Sequence, residues 1–445
     1  MSPVGATSPQ VDGPDPYLPS NGDRAFSTIH YDLELDYRVD DNHLTGRARI
    51  RLRAEVPLTV LSLDLGPLRV QKVTVVGRRN IRFTHRGAKL RIRLASEVPS
   101  GAELEVDVRY AGRPRPMQGD WGDVGWEELS DGLIVAGQPN GAPSWFPCND
   151  RPDDKASYTF KVTTDSGYHV VANGAPTGRR ERGGRTAGTF EQAEPMASYL
   201  ATVQIGRYRT STLAFSGVRQ LVAAPARLRT GVDVEFARQP EMMVVFEDLF
   251  GPYPFDAYTV VVTDDALEMP LEAQGLSVFG ANHVDGKGSC QRLVAHELSH
   301  QWFGNSLTVA RWRDVWLHEG FACYAEWLWS EHSGGPGADR LAREHHRRLR
   351  ALPQDLLLAD PGPTRMFDDR VYKRGALTLH ALRAHVGDDR FFALLRSWVA
   401  FNQYGSVTTE DFVEHAMQWG REPGVLALLS AWLWHRDLPS LPPPT

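Results

Sequence analysis

The sequence His296-Glu297-Leu298-Ser299-His300 determines the interpretation of this 445-residue chain, together with Glu319, which follows after eighteen intervening residues. In an α-helix, residues four positions apart share a face, so His296 and His300 can direct two imidazole nitrogens at one ion. Glu297 lies beside them, where its carboxylate can reach a water molecule on that ion. This H-E-x-x-H pattern is typical of zinc sites in which the histidines bind the metal and the glutamate acts as general base.

A catalytic zinc ion usually has three protein ligands and an open position for water, so a third ligand is needed besides the two histidines. Glu319 is the candidate third ligand, because it lies in the apolar segment Trp316–Ala322, which predicts a second helix packed against the first. Two histidines on a helix are more often ordinary surface or core residues than ligands. The glutamate at this spacing is the feature that favours zinc.

The composition is that of an ordinary globular protein, with 42% hydrophobic and 23% charged residues. The chain is too long for one core, so two domains are expected. A net charge of −6 argues against a nucleic-acid partner, and no apolar run is long enough to span a bilayer. The N-terminus lacks the basic and apolar stretches of a signal peptide.

The cysteines Cys148, Cys290 and Cys323 are widely spaced and form no CxxC pair. This odd number at wide spacing argues against a disulfide framework, so we expect a reduced, cytoplasmic protein. The three side chains are interpreted as buried apolar residues and not as zinc ligands.

Residues 1–22 are rich in Pro, Gly and Ser and predict a mobile leader. Apolar residues then alternate with period two, from Tyr31 onward, which predicts an antiparallel β domain over residues 23–208. Residues 209–438 are predicted to be mainly helical. Within them, residues 233–250 are expected to form one helix in spite of Pro240, and Tyr258–Val262 a buried strand. Residues 439–445 are predicted to be a disordered tail.

A dense polar-aromatic segment, Trp145–Lys155, stands out within the β domain. It is interpreted as an ordered connection that is held by proline, aromatic stacking and Asp–Arg pairs.

The zinc pattern and the segment Trp316-Leu317-His318-Glu319-Gly320-Phe321-Ala322 together resemble the gluzincin aminopeptidases related to aminopeptidase N and leukotriene hydrolase. The stretches Phe146–Asp153 and Val371–Gly375 fit the same family, so the resemblance covers nearly the whole chain. It implies an α+β multidomain fold, with an N-terminal antiparallel β domain followed by a thermolysin-like, mainly helical catalytic domain. The chain would be a short form without the family's C-terminal helical domain. We expect such a form to have an open cleft, or to close it by association with a partner or another copy.

The resemblance also implies roles for single residues. His296, His300 and Glu319 would bind one Zn²⁺ per chain, and Glu297 would take the proton of the activated water and pass it to the leaving amine. Tyr372 occupies the position of the family tyrosine that donates a hydrogen bond to the oxyanion. Without the resemblance, Tyr372 would be interpreted as an ordinary helix residue.

An aminopeptidase needs a carboxylate that binds the substrate's α-amino group, and the family places it in a Gly-x-Met-Glu-Asn strand. Here the strand reads Met269-Pro270-Leu271-Glu272-Ala273, which keeps the carboxylate as Glu272 but replaces the glycine, the methionine and the asparagine. Gln138 matches a family Gln/Glu that helps to hold the same amine.

His318 and Asp314 lie near the candidate third ligand in sequence. His318 replaces a family asparagine and is expected to point away from the metal, because adjacent helix residues do not share a face. Asp314 would either orient a ligand histidine or have a surface or capping role.

The function that the resemblance implies is a zinc-dependent aminopeptidase, which hydrolyses the N-terminal bond of peptides with a free N-terminus through a zinc-activated water. The alternatives are an epoxide hydrolase or an endopeptidase on the same zinc site, and a non-catalytic zinc-stabilised binding protein. Glu297 and Tyr372 argue against the binding protein, since a structural zinc site needs neither. No nucleic-acid or membrane partner is expected.

Overall fold

The computed structural model describes residues 13–214, 217–420 and 423–443. These residues form two compact units. The β unit consists of residues 13–229 and 255–283, and the helical unit consists of residues 230–254 and 284–443.

The described part of the β unit contains twenty strands, which form four sheets. In chain order the strands are β1 (Phe26–Arg38), β2 (His43–Ala54), β3 (Leu58–Asp64), β4 (Arg69–Val75), β5 (Arg82–Arg86), β6 (Lys89–Val98), β7 (Glu103–Gly112), β8 (Met117–Gly119), β9 (Gly122–Leu129), β10 (Gly132–Ala136), β11 (Lys155–Asp165), β12 (His169–Ala172), β13 (Ala175–Arg182), β14 (Arg185–Ala197), β15 (Val203–Gly206), β16 (Tyr208–Ala214), β17 (Arg219–Pro225), β18 (Ala257–Val262), β19 (Leu271–Ala273) and β20 (Leu276–Phe279). The largest sheet has the order β13-β14-β11-β1-β2-β7-β4. The other three have the orders β3-β6-β5, β12-β15-β10-β9-β8 and β16-β17-β18-β20-β19.

The period-two pattern produces the large sheet, as predicted. In β1, the buried residues Tyr31, Leu33 and Leu35 alternate with the acidic residues on the other face. Neighbouring strands are antiparallel, except that β1 and β11 pair in parallel. The predicted N-terminal β domain is therefore confirmed, with one parallel pair that the alternation could not reveal.

The polar-aromatic segment is the ordered connection that the sequence predicts. Asn149 donates hydrogen bonds to the backbone carbonyls of Asp23 and Phe26, at 3.1 and 3.3 Å. Asp154 accepts from the backbone N–H and the hydroxyl of Thr28, at 2.9 and 2.8 Å. The segment thereby holds the start of the first strand in place.

The predicted mobile leader is wrong for residues 15–22. The Asp15 carboxylate accepts hydrogen bonds from the backbone N–H groups of Tyr17 and Leu18, and the side chain of Asn21 donates to Asp150. The partner of Asn21 is 129 positions away in sequence. The local composition of residues 1–22 contains no information about a contact at that distance. Residues 1–12 lie outside the described part of the chain.

The predicted domain boundary at residue 208 is displaced, because strands β16 to β20 belong to the β unit. Their apolar residues Ala223, Val261 and Leu276 pack in one cluster with Ile134 and Val171 from earlier strands. A buried sheet has no periodicity that assigns it to one domain or another, so the sequence could not locate this boundary.

The helical unit contains nine α-helices and two short strands in its described part. They are α1 (Arg229–Glu235), α2 (Gln239–Phe250), α3 (Gln291–Ser299), β21 (Thr308–Val309), α4 (Trp316–His332), α5 (Ala338–Arg350), α6 (Asp369–Val386), α7 (Asp388–Asn402), β22 (Ser406–Val407), α8 (Thr409–Gly420) and α9 (Val425–Trp434). The predicted helix over residues 233–250 is divided into α1 and α2, because Pro240 lacks an N–H to continue the ladder and fits only a first turn.

Helices α4 and α6 meet through two glycines. A Cβ atom added to Gly375 would lie 2.6 Å from the Cα of Gly320, so only glycine allows this approach. Gly320 directly follows Glu319, and Gly375 lies three residues after Tyr372, so the crossing point determines how these two side chains are placed.

The end of the helical unit differs from the predicted disordered tail. Residues 439–443 have no regular secondary structure, but the carbonyl of Pro439 accepts a hydrogen bond from His346 Nε2 at 2.7 Å. Residues 444 and 445 lie outside the described part. Among the described residues, no helix is long and apolar enough to cross a membrane.

Candidate metal centre

His296 and His300 lie at the C-terminal end of α3, and Glu319 lies in the first turn of α4. Helix α3 ends at Ser299, so His300 is the C-cap residue. The cap keeps helical dihedral angles, which preserves the shared face of the two histidines. All three side chains are almost completely buried.

The donor atoms of the three residues converge on one point. One ligand atom from each lies within 4.8 Å of the others. Glu319 Oε2 is 3.4 Å from His296 Nε2 and 3.6 Å from His300 Nε2. Ligand atoms at the corners of a tetrahedron around Zn²⁺ would be separated by roughly 3.4 Å, given metal–ligand bonds of about 2.0–2.1 Å. The described donor set therefore fits this metal in both chemistry and spacing.

Both imidazole rings are oriented through their other nitrogen. His296 Nδ1 lies 2.8 Å from Glu326 Oε1, and His300 Nδ1 lies 3.0 Å from the carbonyl oxygen of Phe303. Both partners are acceptors, so each Nδ1 carries the proton and donates it. Each Nε2 then faces the site, where loss of its proton frees the lone pair that a metal requires.

The sequence prediction missed Glu326. Its carboxylate is 5% exposed, and it also pairs with Arg292 at 3.0 Å. Glu326 lies seven residues after Glu319, which is two helical turns along the same face of α4. That spacing is the signal that could have identified it.

The buried carboxylates give the centre a strong preference for positive charge. Burial alone would lower the pKa of His296, but hydrogen bonds to Glu319 and Glu326 outweigh it and raise the pKa to about 10. Burial would conversely raise the pKa of Glu319, yet the two histidines hold it well below its usual value. A proton on His296 thus partly neutralises the negative charge of the buried carboxylates, as a bound cation would.

The candidate general base and the candidate oxyanion donor lie at the same centre. A carboxylate oxygen of Glu297 lies within 4.8 Å of a ring nitrogen of His300, and Glu297 is 4% exposed. The Tyr372 ring lies nearly parallel to that of His296, with the ring centroids 6.2 Å apart. The helical unit therefore brings together five of the predicted site residues.

The two predicted amine-binding residues belong to the β unit. Glu272 is the middle residue of β19 and pairs with Ser277 of β20 in the ladder. Gln138 follows β10, and its amide Nε2 is buried without a hydrogen-bond partner among the described residues. Met269, before β19, is 59% exposed.

The other predicted neighbours are placed as follows. His318 Nε2 accepts the backbone N–H of Val309 at 2.9 Å, so its ring is directed towards β21, as expected. Asp314 is fully buried and accepts from both the backbone N–H and the hydroxyl of Thr409. It thus caps the start of α8 and does not orient a ligand histidine. The three cysteines are free and buried, as predicted.

Comparison with known proteins agrees with this geometry. Residues 27–200 match the model of the peptidase M1 N-terminal domain, and residues 234–432 match that of the peptidase family M1 domain. The crystal structure of an M1 zinc metallopeptidase from Deinococcus radiodurans is 32% identical, with a TM-score of 0.89 over 97% of this chain and 99% of that one. The chain belongs to peptidase family M1. Its predicted fold, a β-rich domain followed by a mainly helical catalytic domain, is confirmed.

More distant members of family M1 are named as aminopeptidases. Glutamyl aminopeptidase from Sus scrofa is 24% identical over 93% of this chain. Probable aminopeptidase 2 from Sulfurisphaera tokodaii is 28% identical over 66% of this chain. The matches cover 48% and 40% of those two proteins, so the chain spans less than half the length of these relatives.

Proposed function

We propose that this M1 family member is a zinc-dependent aminopeptidase, which holds one Zn²⁺ per chain and releases the N-terminal residue of peptides. The observation that carries the proposal is the convergence of His296, His300 and Glu319 with Glu297 beside them. Two imidazoles and one carboxylate form the ligand set of catalytic zinc sites that leave one position open.

The residues of the centre have two roles, which are metal binding and proton transfer. Zn²⁺ held by His296, His300 and Glu319 would supply Lewis acidity, which polarises the scissile carbonyl and makes water acidic enough to react near neutral pH. Glu297 takes the proton of the attacking water and later delivers it to the leaving amine. Its burial beside two histidines keeps this carboxylate out of bulk solvent and close to the reacting atoms.

Tyr372 is the proposed donor to the oxyanion. A phenol is neutral at pH 7 and its hydrogen bond strengthens as negative charge develops on the carbonyl oxygen. The position of Tyr372 depends on α6, which is fixed against α4 by the contact between Gly320 and Gly375.

Recognition of the free N-terminus is assigned to Glu272, with Gln138 in support. An ammonium group needs a carboxylate partner and hydrogen-bond acceptors, and these two side chains can supply both. A mutant of a similar two-domain M1 zinc metallopeptidase binds L-arginine, and a mutant of the Deinococcus radiodurans enzyme binds a Tyr-Ser-Ala substrate. Each of these ligands has a free α-amino group, which supports substrates of the same class here.

The experiment compares aminoacyl-arylamides with the same compounds acetylated at the α-nitrogen. We expect cleavage of the free compounds and at least about a hundredfold slower cleavage of the acetylated ones, because acetylation removes the charge that Glu272 binds. Equal cleavage of both would contradict an aminopeptidase and would indicate an endopeptidase. A Glu272→Gln variant should lose most of this discrimination.

We also propose a cytoplasmic location, a function on soluble peptides without nucleic acid or membrane, and association with a second copy. The three free, buried thiols are consistent with a reducing compartment. Cell fractionation and light scattering of the purified chain test the location and the oligomeric state.

A further inference from the structure

A cleft in the β unit has the features of a second ligand site. Its volume is about 290 Å³, at the lower end of the range for small-molecule sites. Strand β12 forms one side, the hairpin of β13 and β14 forms another, and residues of β16, β17 and β18 complete the wall.

Small residues between the strands leave room for the cleft. Gly174, Gly178 and Gly188 contribute no side chain, and Ala172 and Ala223 contribute a single methyl group each. The cleft is open to solvent, so an apolar ligand that enters it removes the apolar lining from water.

The walls of the cleft are apolar. Val170, Val171 and Phe190 are each 8% exposed, and Leu221 and Pro176 line the cleft beside them. Such a lining favours a hydrocarbon chain or ring over a polar ligand, because binding removes apolar surface from water.

One end of the cleft is polar and basic. The His169 Nε2 atom lies 3.3 Å from the hydroxyl of the exposed Thr210. Burial, followed by the positive charge of Arg179, lowers the pKa of His169, so this ring is neutral at pH 7 and can donate or accept. No acidic residue lines the cleft.

Arg179 differs from Arg185 and Arg207 in its surroundings. Arg185 pairs with Asp36 and Asp165, and Arg207 pairs with Asp131. In the described part of the chain, Arg179, Arg180 and Arg182 of β13 form no ion pair, and of these three only Arg179 lines the apolar cleft. A guanidinium in this position is suited to a carboxylate that arrives with an apolar body.

We propose that this cleft binds a small amphiphilic carboxylate, whose hydrocarbon part lies between β12, β14 and β17 and whose carboxylate pairs with Arg179. The site lies wholly within the β unit, and the inference does not depend on the proposed peptidase activity. Amines are disfavoured by the positive charge, and alcohols of the same length lack the ion pair.

The test is a calorimetric titration of the zinc-loaded full chain with octanoate, octan-1-ol and octylamine. Octanoate is expected to bind at one site per chain, and Arg179→Gln to weaken it by about two- to fivefold, as loss of a solvent-exposed ion pair does. The matched control is Arg182→Gln, because Arg182 is also exposed on β13 but does not line the cleft. Ala172→Leu, which fills the cleft, should abolish binding.

Three results would overturn the proposal. These are no octanoate binding at millimolar concentration, equal affinity of the wild type and Arg179→Gln, or equal affinity for octanoate and octylamine. Binding of octanoate to the metal centre would be recognised by its insensitivity to both Arg179→Gln and Ala172→Leu. Arg179→Gln changes an exposed side chain, so its result remains decisive if Ala172→Leu does not fold.

Discussion

The Nδ1 atom of His296 and the Oε1 atom of Glu326 lie 2.8 Å apart. This contact fixes the orientation of the His296 ring, whose Nε2 atom faces the candidate metal centre. Glu326 comes from the second turn after Glu319 on the same helix. One face of α4 therefore supplies both a candidate ligand and the partner that orients another.

Substitution of Glu326 tests this relationship. Glu326→Ala leaves the His296 ring without its acceptor, and we expect zinc affinity to fall about 10- to 100-fold. Glu326→Gln should lose less, because the amide oxygen still accepts the Nδ1 proton. Affinity is measured by competition with a chelator, with Glu414→Ala, an exposed carboxylate on α8, as the control. Unchanged affinity in Glu326→Ala would contradict an orienting role.

The glycine contact between α4 and α6 provides a second test. In Gly375→Ala the new Cβ would meet the Cα of Gly320 at 2.6 Å, so the helices must separate. Overpacking of this kind costs about 1–3 kcal/mol of stability. Because Tyr372 moves with α6, kcat should fall more than KM rises. The control Gly337→Ala meets only a carboxylate oxygen of Glu331, at 3.5 Å. If Gly375→Ala kept full stability and kcat, the close contact would not determine the position of Tyr372.

Arg374, two residues after Tyr372, anchors the end of the helical unit. Its guanidinium is 4% exposed and donates to five backbone carbonyls, which belong to Leu356, Trp432, His435, Arg436 and Asp437. Arg374→Met leaves these acceptors without their donor, and the free energy of unfolding should fall by more than about 2 kcal/mol. Chemical denaturation measures the loss, and Arg347→Met, on the exposed face of α5, is the control. A loss no greater than that of the control would show that water replaces the guanidinium without cost.

A buried carboxylate in the β unit should make stability depend on pH. Burial, followed by the negative charge of Asp64, raises the pKa of Asp150 to about 7, from about 3.9 in an unfolded chain. The folded state then binds the Asp150 proton more tightly than the unfolded state does. The stabilisation that this proton gives is complete below about pH 4 and is lost as pH rises through 7. Between these limits the slope approaches about 1.4 kcal/mol per pH unit.

Asp150→Asn removes this titration. The difference in unfolding free energy between wild type and variant should therefore change from pH 4 to 7, in favour of the wild type at low pH. Denaturant titrations at several pH values give the slope, and Asp41→Asn, at an exposed position, should leave it unchanged. A difference that is constant over this range would mean that Asp150 is ionised in the folded protein throughout.

Local patterns were sufficient to predict the β domain and the helix that carries the candidate ligands His296 and His300. Alternation in β1 and the four-residue spacing of His296 and His300 are properties of adjacent turns or strands, so they are visible in the sequence. The family resemblance added the roles that are proposed for Tyr372 and Glu272, which no local pattern contains.

The missed features depend on contacts between distant segments. Asn21 is held by Asp150, far along the chain, and the Gly320–Gly375 contact needs two helices to cross at one point. Glu326 is a single carboxylate on a helix, with nothing but its spacing to distinguish it. The assignment of strands β16 to β20 to the β unit rests on packing with Ile134 and Val171, which periodicity does not encode.

The most direct test of the central claim measures zinc content and turnover in the wild type and in Glu297→Gln. Zinc is determined by mass spectrometry of the metal, and turnover with an unblocked aminoacyl-arylamide. We expect one zinc ion per chain in both proteins. Turnover in the variant should be lower by about 10²- to 10⁴-fold, as for the loss of a general base. Full turnover in Glu297→Gln, or a wild type that binds no zinc, would contradict the proposed aminopeptidase.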